Sequence, residues 1–212
     1  EGLEIMRHTL TAQVLARAIK NLYPKSKLAI GPTIEDGFYY DVESEEVISS
    51  DDLIKIEDEM KNIIKTKSLL TKKLVSKSEA LKIFKEKKEP FKETIINESN
   101  QKNDFQLYYQ DNEEFVDLCR GPHLPNLGFI GSFKLTKVSG AYWKGDSKNT
   151  MLTRIYGTAF NSDKDLQKHL NEVEEALKRD HRKLGREMDL FHFQDEAPGM
   201  VFWHPKGWTI YR

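Results

Sequence analysis

A cysteine and a histidine stand four residues apart in the sequence Cys119-Arg120-Gly121-Pro122-His123. A thiolate and an imidazole can both bind zinc, and a histidine can also hold and activate a water molecule. Gly121 and Pro122 fix the backbone between them and let another part of the chain approach closely. Zinc usually takes three or four protein ligands, and a lone cysteine is more often a small buried apolar side chain. The spacing alone therefore leaves a metal site, a water-activating site and a structural turn open.

His8 is the histidine best placed to join this pair, because it lies near the start of the first predicted helix. Helical spacing puts it on one face with Ala12, Leu15 and Ile19, which points the ring inward. A histidine on such a face can equally be a core or capping residue. The sequence offers no glycine-rich nucleotide loop, serine nucleophile motif or paired-carboxylate pattern as a competing site.

Composition restricts the classes of protein that this chain can be. Of its 212 residues 38% are hydrophobic and 32% are charged, which predicts a soluble globular protein. No apolar run approaches the roughly 18–20 residues that span a bilayer, so no membrane partner is expected. A formal net charge of -1 excludes a strong overall positive field, and any RNA contact must use local clusters such as Lys72-Lys73, which are also typical of a solvated face. The single cysteine excludes an internal disulfide and favours a cytoplasmic location.

The hydrophobic pattern predicts helices early in the chain and strands later. Residues 3–22 are apolar at three- and four-residue spacings, which predicts a helix that Pro24 ends. Further helices are predicted over residues 53–64 and over residues 79–87, the latter opened by Ser78. The predicted strands are 28–30, 38–42, 71–75, 91–96, 105–109, 115–119, 131–138, 141–143 and 151–160. This order predicts an α+β fold with a largely antiparallel sheet and packed helices.

A capping box at Ser162 and an apolar stripe behind it predict one long connector helix over residues 161–186. The sequence beyond it is again aromatic and apolar. We therefore predict a first domain over residues 1–160, the connector, and the truncated start of another domain over residues 187–212. Because the chain lacks an initiator methionine and stops in an apolar stretch, we expect both ends to be cut from a longer protein.

Long strings along the chain resemble threonyl-tRNA synthetase of the bacterial type. They occur in order and cover essentially the whole chain, which makes the match specific. The strings are LAIGPTIEDGFYYD at 28–41, DLCRGPH at 117–123, GAYWKGDS at 140–147, RIYGTAF at 154–160, RDHRKLG at 179–185 and APGMVFW at 197–203. The last resembles the opening of a class II catalytic core. Alanyl-tRNA editing domains share the histidine and cysteine constellation but not these strings.

The resemblance implies a fragment of a threonine-tRNA ligase, the enzyme that attaches threonine to its tRNA with ATP. Residues 1–160 would be its aminoacyl-tRNA editing domain, which binds the acceptor end of threonine tRNA and hydrolyses mischarged Ser-tRNA. Residues 187–212 would begin the catalytic core, whose ATP, magnesium and zinc sites are expected beyond Arg212. The full-length enzyme is expected to be a cytoplasmic homodimer.

The family pocket combines an H-x-x-x-H pair from the first helix with a C-x-x-x-H pair, and Cys119 and His123 match the second pair. Lys92 and Asp117 resemble substrate-binding positions of the same pocket. In alanyl relatives the four side chains bind zinc, whereas the resemblance to bacterial threonyl enzymes implies a positioned water without a metal. Zinc therefore stays open at this site, with Cys119 and His123 as candidate ligands.

The first pair departs from the family pattern, because one residue is inserted. Aligned from the left, His8 is kept and Ala12 takes the second position; aligned from the right, Gln13 replaces the second histidine and Thr9 the first. We predict a π-bulge between Leu10 and Gln13, because single π turns often lie at functional sites. The five-residue offset would bring His8 and Gln13 to one face, where Gln13 could bind substrate or water. Glutamine is a poor zinc ligand, so a full four-ligand site is not expected.

Three functions follow from these observations. In the first, His8, Cys119 and His123 form a catalytic site that hydrolyses Ser-tRNA. In the second, the domain has lost editing and only binds the acceptor stem for the same enzyme. In the third, the chain is a free-standing RNA-binding or metal-binding module, which would require a gene that ends near Arg212.

Overall fold

The computed structural model describes residues 1–111 and 115–212. The chain divides into two units, Glu1–Leu166 and Gln167–Arg212. The first unit combines helices with two antiparallel sheets, so the predicted α+β class is confirmed. None of the helices in the described part of the chain combines the length and apolar character that crossing a membrane requires.

Helices and strands are numbered along the chain. The helices are α1 (Gly2–Thr9), α2 (Ala16–Leu22), α3 (Leu53–Lys65), α4 (Lys77–Glu86), α5 (Pro90–Glu98), α6 (Asp163–Lys178), α7 (His181–Glu187) and α8 (Pro205–Tyr211). The strands are β1 (Lys27–Leu28), β2 (Thr33–Ile34), β3 (Gly37–Glu43), β4 (Leu70–Val75), β5 (Phe105–Gln110), β6 (Phe115–Leu118), β7 (Ser132–Tyr142), β8 (Met151–Phe160), β9 (Phe191–His192) and β10 (Phe202–Trp203).

A π-helical turn, Leu10–Leu15, joins α1 to α2. It lies where the sequence carries its extra residue, and the N–H of Ala16 accordingly bonds the carbonyl of Thr11, five residues back. All six side chains of the turn are buried. The predicted bulge between Leu10 and Gln13 is therefore confirmed.

The main sheet has five strands, in which β3 pairs with β1, β2 and β8, and β8 pairs with β7. Alternate side chains of β3 point into the core, and Phe38, Tyr40 and Val42 are fully buried there. The α1–α2 segment and α3 pack into the same core, to which α3 contributes Ile56 and Met60. Each such side chain contributes about 1.5–3 kcal/mol of burial. This core holds the first helix against the sheet.

A smaller sheet, in the order β4-β5-β6, carries the candidate cysteine just beyond its last strand. Its strands are antiparallel, with Tyr108 opposite Asp117. The helices α4 and α5 cover it through Phe84 and Ile96, which are buried against Leu107 of β5. The sheet therefore brings the end of β6 to a fixed place beside the first helix.

The strand predicted over residues 91–96 is wrong, because this segment belongs to α5. Pro90 occupies the first turn of this helix, where its missing N–H costs nothing and its fixed φ favours helix formation. Lys92 and Ile96, one helical turn apart, are both buried. The run of apolar residues thus covers one helix face rather than one sheet face.

The prediction of one continuous helix over residues 161–186 is also wrong. Helix α6 ends at Lys178, and α7 begins at His181. Asp180 between them has non-helical φ and ψ, and its carboxylate accepts the N–H of Arg182 at 2.8 Å. An aspartate at this position caps a new helix, so the sequence restarts the helix rather than continuing it.

Two smaller predictions need correction. The strands predicted over residues 131–138 and 141–143 form the single strand β7, because Gly140 pairs with Thr153 of β8 instead of turning the chain. Helix α4 is opened by Ser76 rather than Ser78, since Ser76 forms a reciprocal capping box with Glu79.

Candidate functional site

The residue before the first candidate histidine anchors α1 to the main sheet. Arg7 is 6% exposed, and its Nε donates to the carbonyl of Ala159 at 3.0 Å. Its Nη1 donates to the carbonyl of Glu35 at 2.8 Å. The guanidinium also lies over the ring of Phe160. These contacts join the helix to the end of β8 and so fix the position of His8.

His8 contacts Cys119 directly. Its Nε2 lies 3.0 Å from Sγ of Cys119, and its Nδ1 lies 3.3 Å from the carbonyl oxygen of Pro122. Because a carbonyl can only accept a hydrogen bond, the proton of a neutral His8 is on Nδ1 and is donated to Pro122. Nε2 then carries a lone pair that accepts the S–H of Cys119.

The tautomer of His123 is set by Thr9. The hydroxyl of Thr9 donates its one proton to the carbonyl of Ile5 at 2.8 Å and accepts the N–H of Leu124 at 2.9 Å. Its oxygen also lies 3.2 Å from Nδ1 of His123, which must therefore be the donor. The lone pair of His123 is then on Nε2, which is buried and has no partner among the described residues.

Burial keeps all three candidate groups uncharged at neutral pH. Burial, with a smaller contribution from the neighbouring His8, lowers the pKa of His123 to about 3. Burial also lowers the pKa of His8, against the contact with Pro122. It raises the pKa of Cys119 to about 11, so the residue is a thiol at neutral pH. The two imidazole rings stack with their centroids 4.6 Å apart, which two cations could not do cheaply.

The buried pair of Lys92 and Asp117 lies next to this group. Lys92 Nζ is 2.6 Å from Oδ1 of Asp117, and the side chains are 4% and 2% exposed. The hydroxyl of Tyr40 donates to Oδ2 at 3.4 Å, and the N–H of Leu118 donates to Oδ1 at 2.8 Å. Burial raises the pKa of Asp117, while Lys92 acts to lower it. Asp117 stands on β6, two residues before Cys119, and Lys92 reaches it from α5.

Gln13 lies in the π turn, and its side-chain contacts are with the small sheet. It is fully buried, and its Oε1 accepts from Nε2 of Gln110 at 3.2 Å. Its own Nε2 has no hydrogen-bond partner among the described residues. The described contacts thus join His8, Cys119 and His123 to one another and join Gln13 to Gln110. A role of Gln13 in binding substrate stays a prediction.

Comparison with known proteins identifies the relatives of the chain. A family model described as "Threonyl and Alanyl tRNA synthetase second additional domain" matches residues 106–156, which contain Cys119 and His123. Threonine--tRNA ligase of Prochlorococcus marinus (strain MIT 9211) is 52% identical over 212 residues, all of this chain and 33% of that protein. The enzyme of the same name from strain MIT 9515 is 53% identical over the same length and share.

The chain is homologous to threonine–tRNA ligases. The resemblance to threonyl-tRNA synthetase that the sequence motifs predict is confirmed. The chain spans about a third of the length of these curated relatives. The segment that matches the second additional domain of threonyl and alanyl enzymes includes Cys119 and His123, both of which lie just beyond β6.

The donor set of this homologue of threonine–tRNA ligase fits an open zinc site rather than a closed one. Ligand atoms of His8, Cys119 and His123 all lie within 4.8 Å of one another. Two imidazoles and a thiol are zinc ligands, and three protein ligands are the number of a catalytic site. The side chain of Gln13, which we predict to lie on the same face as His8, is instead hydrogen-bonded to Gln110.

Sequence reasoning assigned no orienting role to two residues that shape the site: Thr9, which it named only in one alignment of the motif, and Tyr108. Thr9 orients His123, and the ring of Tyr108 meets that of His123 edge-on at 4.4 Å between centroids. Thr9 follows His8 in the sequence, but a threonine in a helix is ordinarily a surface or packing residue. In the sequence, Tyr108 is predicted only to be an aromatic residue of a strand. Each residue has a role in the site only because the fold brings its segment against His123, which is distant in the sequence from Thr9.

The turn between Cys119 and His123 requires a glycine at position 121. Gly121 has φ +66°, and a Cβ there would lie 2.1 Å from the hydroxyl oxygen of Tyr108. We expect Gly121→Ala to lower the free energy of unfolding by more than the roughly 1–3 kcal/mol that strained backbone costs, measured by urea denaturation. Gly145→Ala is the matched control, because Gly145 has φ +73° in open space. Equal losses in both variants would contradict the contact with Tyr108.

The buried His123 predicts a pH-dependent stability. The unfolded chain takes up a proton near pH 6.5, whereas the folded chain does so near pH 3. Stability therefore rises with pH across this window and is lost as the pH falls below 6.5. We expect the wild type to lose at most about 2 kcal/mol more than His123→Asn between pH 7 and pH 5, measured by urea unfolding. Parallel curves for the two proteins would show that His123 is not buried as a neutral group.

Proposed function

We propose that this chain is the part of a threonine–tRNA ligase that binds the tRNA acceptor end and hydrolyses serine from mischarged threonine tRNA. The observation that carries the proposal is the lone pair on the buried Nε2 of His123, which meets no hydrogen-bond partner within residues 1–111 and 115–212 and lies beside the pair of His8 and Cys119. A buried nitrogen of this kind is normally hydrogen-bonded, so it points to a water or substrate group. The proposal includes the three segments 1–160, 161–186 and 187–212, with the last as the start of the catalytic core.

The need for such a site follows from the chemistry of the two amino acids. Serine differs from threonine by one methyl group, which is worth about 1–3 kcal/mol of discrimination in a binding pocket. That difference is too small for accurate protein synthesis. A second, hydrolytic site removes the smaller amino acid after the first site has accepted it.

In the proposed reaction, water attacks the carbonyl carbon of the seryl ester. The bond between that carbon and the ribose oxygen breaks, giving free serine and a tRNA with a free hydroxyl. His123 Nε2 accepts a hydrogen bond from the water and orients it, while Nδ1 donates to Thr9. Because the pKa of His123 is about 3, its ring does not take up the proton of the water at neutral pH. That proton is transferred to the ribose oxygen, which leaves as a hydroxyl group. Cys119 and His8 form the wall beside this water.

A metal could take part with the same residues. His8, Cys119 and His123 would hold zinc, which when bound lowers the pKa of its water and polarises a carbonyl. The low polarity around Cys119 opposes the thiolate that zinc binding needs, since burial raises the pKa of its thiol to about 11. ATP, magnesium and a further zinc ion belong to the part of the proposed ligase outside this chain, as does its homodimer contact.

A second function, acceptor-stem binding without hydrolysis, is favoured by one observation. The second histidine of the family motif is replaced by Ala12 or Gln13, depending on the alignment, and the amide of Gln13 is held by Gln110 rather than by the histidine and cysteine group. A site that has lost one of its polar groups can keep its substrate affinity and lose its rate.

The two functions are separated by a deacylation assay. Purified chain or parent enzyme is mixed with Ser-tRNA, with Thr-tRNA as the control substrate, and ester hydrolysis is followed against buffer alone. Hydrolysis of Ser-tRNA well above buffer and above Thr-tRNA supports editing. Binding of the tRNA at the buffer rate of hydrolysis supports the second function. Loss of hydrolysis on chelation, restored by added zinc, would assign the water to a metal ion.

A further inference from the structure

The π turn directly follows His8 and Thr9, so its shape acts together with the contacts of Arg7 in deciding where His8 lies. Thr9 and His8 precede the turn, and Arg17 follows it. A π turn is rare because its hydrogen bonds are less favourable than those of an α-helix. A hydrogen bond from another element to the π turn would therefore contribute more to keeping the turn in place than an ordinary packing contact would.

Gln110 of β5 makes such a contact. It is fully buried, and its Nε2 donates to the backbone carbonyl of Gln13 at 2.6 Å and to Oε1 of Gln13 at 3.2 Å. Its Oε1 accepts from Nη1 of Arg17 at 2.9 Å. Because arginine has only donors, Arg17 fixes which end of the Gln110 amide faces the helix. One side chain thus bridges the turn and the start of α2.

The same strand also holds the cysteine. Gln110 pairs with Phe115 at the start of β6, and the N–H of Cys119 donates to the carbonyl of Gln106 at 3.2 Å. Strand β5 therefore contacts the π turn through a side chain and the segment of Cys119 through its backbone. The distance between His8 and Cys119 therefore depends on the side-chain contact of β5 with the π turn and on its backbone contact with Cys119.

We infer that Gln110 is a positioning residue: its amide clamps the π turn to β5, and this clamp holds His8 against Cys119. Arg17 supports the clamp by orienting the amide. The importance of the clamp for deacylation rests on the proposed function, but the clamp itself can be tested without tRNA.

The test uses Gln110→Met, which keeps the length of the side chain and removes both polar atoms. The rate of alkylation of Cys119, the only cysteine in the sequence, is measured from neutral to alkaline pH. Without the clamp, Cys119 loses its contact with His8 and gains solvent. We expect alkylation at neutral pH to rise on the order of tenfold, the factor that a thiol pKa one unit lower gives. Hydrogen exchange of the Ala16 amide, which bonds Thr11 within the turn, should also become faster.

Gln106→Met is the matched control, because Gln106 is a half-buried glutamine on the same face of β5 and the substitution keeps its backbone carbonyl, which accepts the N–H of Cys119. It should leave both measurements at the wild-type values. If Gln110→Met fails to fold, the same two measurements are made on Arg17→Met, which keeps the side-chain amide of Gln110. We then expect a smaller rise in the rates of Cys119 alkylation and Ala16 amide exchange. Unchanged alkylation and exchange in the folded variant, or equal changes in Gln106→Met, would overturn the inference. Failure of deacylation in the wild type would contradict the proposed function and leave these two measurements intact.

Discussion

His123→Asn should lower the rate of Ser-tRNA hydrolysis by about 10²-fold, because it removes the group that orients the attacking water and misplaced reactants lose rate on this scale. The asparagine amide can still donate to Thr9 near the position of Nδ1, which bonds Thr9 at 3.2 Å in the wild type. It places nothing at the position of Nε2, whose lone pair carries the proposed function. Hydrolysis of Ser-tRNA at saturating enzyme measures the effect, and tRNA affinity is measured in parallel.

His123→Gln is the informative companion, because it places a polar atom near Nε2 and loses the donor to Thr9. Its amide oxygen can still accept a hydrogen bond from water, so we expect a smaller loss of rate than in His123→Asn. A wild-type rate in His123→Asn would show that Nε2 does not act on the water. The acceptor-binding function would then be the better account, provided that tRNA affinity is retained.

Lys92→Met should cost about 3–5 kcal/mol of unfolding free energy at neutral pH, because it leaves a buried carboxylate without its counterion. The Asp117 side chain is 2% exposed, and the remaining donors are Tyr40 and the N–H of Leu118. Burial raises the pKa of Asp117 above its unfolded value, so the folded variant gains relative stability as the pH falls and loses it as the pH rises. Urea unfolding across this range measures both effects.

Two variants serve as controls for the buried pair. Lys92→Met combined with Asp117→Leu removes both charges and should recover most of the loss. Lys20→Met breaks a comparable pair with Glu89, at 2.9 Å, but Lys20 is 26% exposed and water can enter more easily. A loss in Lys92→Met no larger than in Lys20→Met would contradict the account of Asp117 as a sealed carboxylate.

Local patterns predicted those parts of the fold that depend on neighbouring residues. Strand β8 has the predicted limits, and the π turn was predicted from the one residue inserted relative to the H-x-x-x-H motif of the family. The segment at 91–96 was misassigned because a short apolar run fits a strand face and a helix face equally well, and only Pro90 at its start favours the helix. Boundaries set by a single capping residue, such as Asp180, were also missed.

The site was predictable to the extent that its residues stand in motifs. His8, Cys119 and His123 were chosen from motifs, and the structure brings them together. The partners that orient them are separated from them by long stretches of sequence, as Thr9 is from His123 and Gln110 is from Gln13. No spacing rule relates such pairs, because their contact depends on the packing of a helix against two sheets.

The π turn also bears on how the domain tolerates a change in length. An extra residue in an α-helix would ordinarily rotate everything beyond it by about 100° and turn buried side chains toward water. Here Met6 before the turn and Ile19 after it are both buried. The π turn therefore takes up the extra rotation locally, so that the helix beyond it keeps its orientation toward the core. The extra residue in the middle of this core helix is thus confined to the π turn, while the two flanking segments keep their own hydrophobic faces.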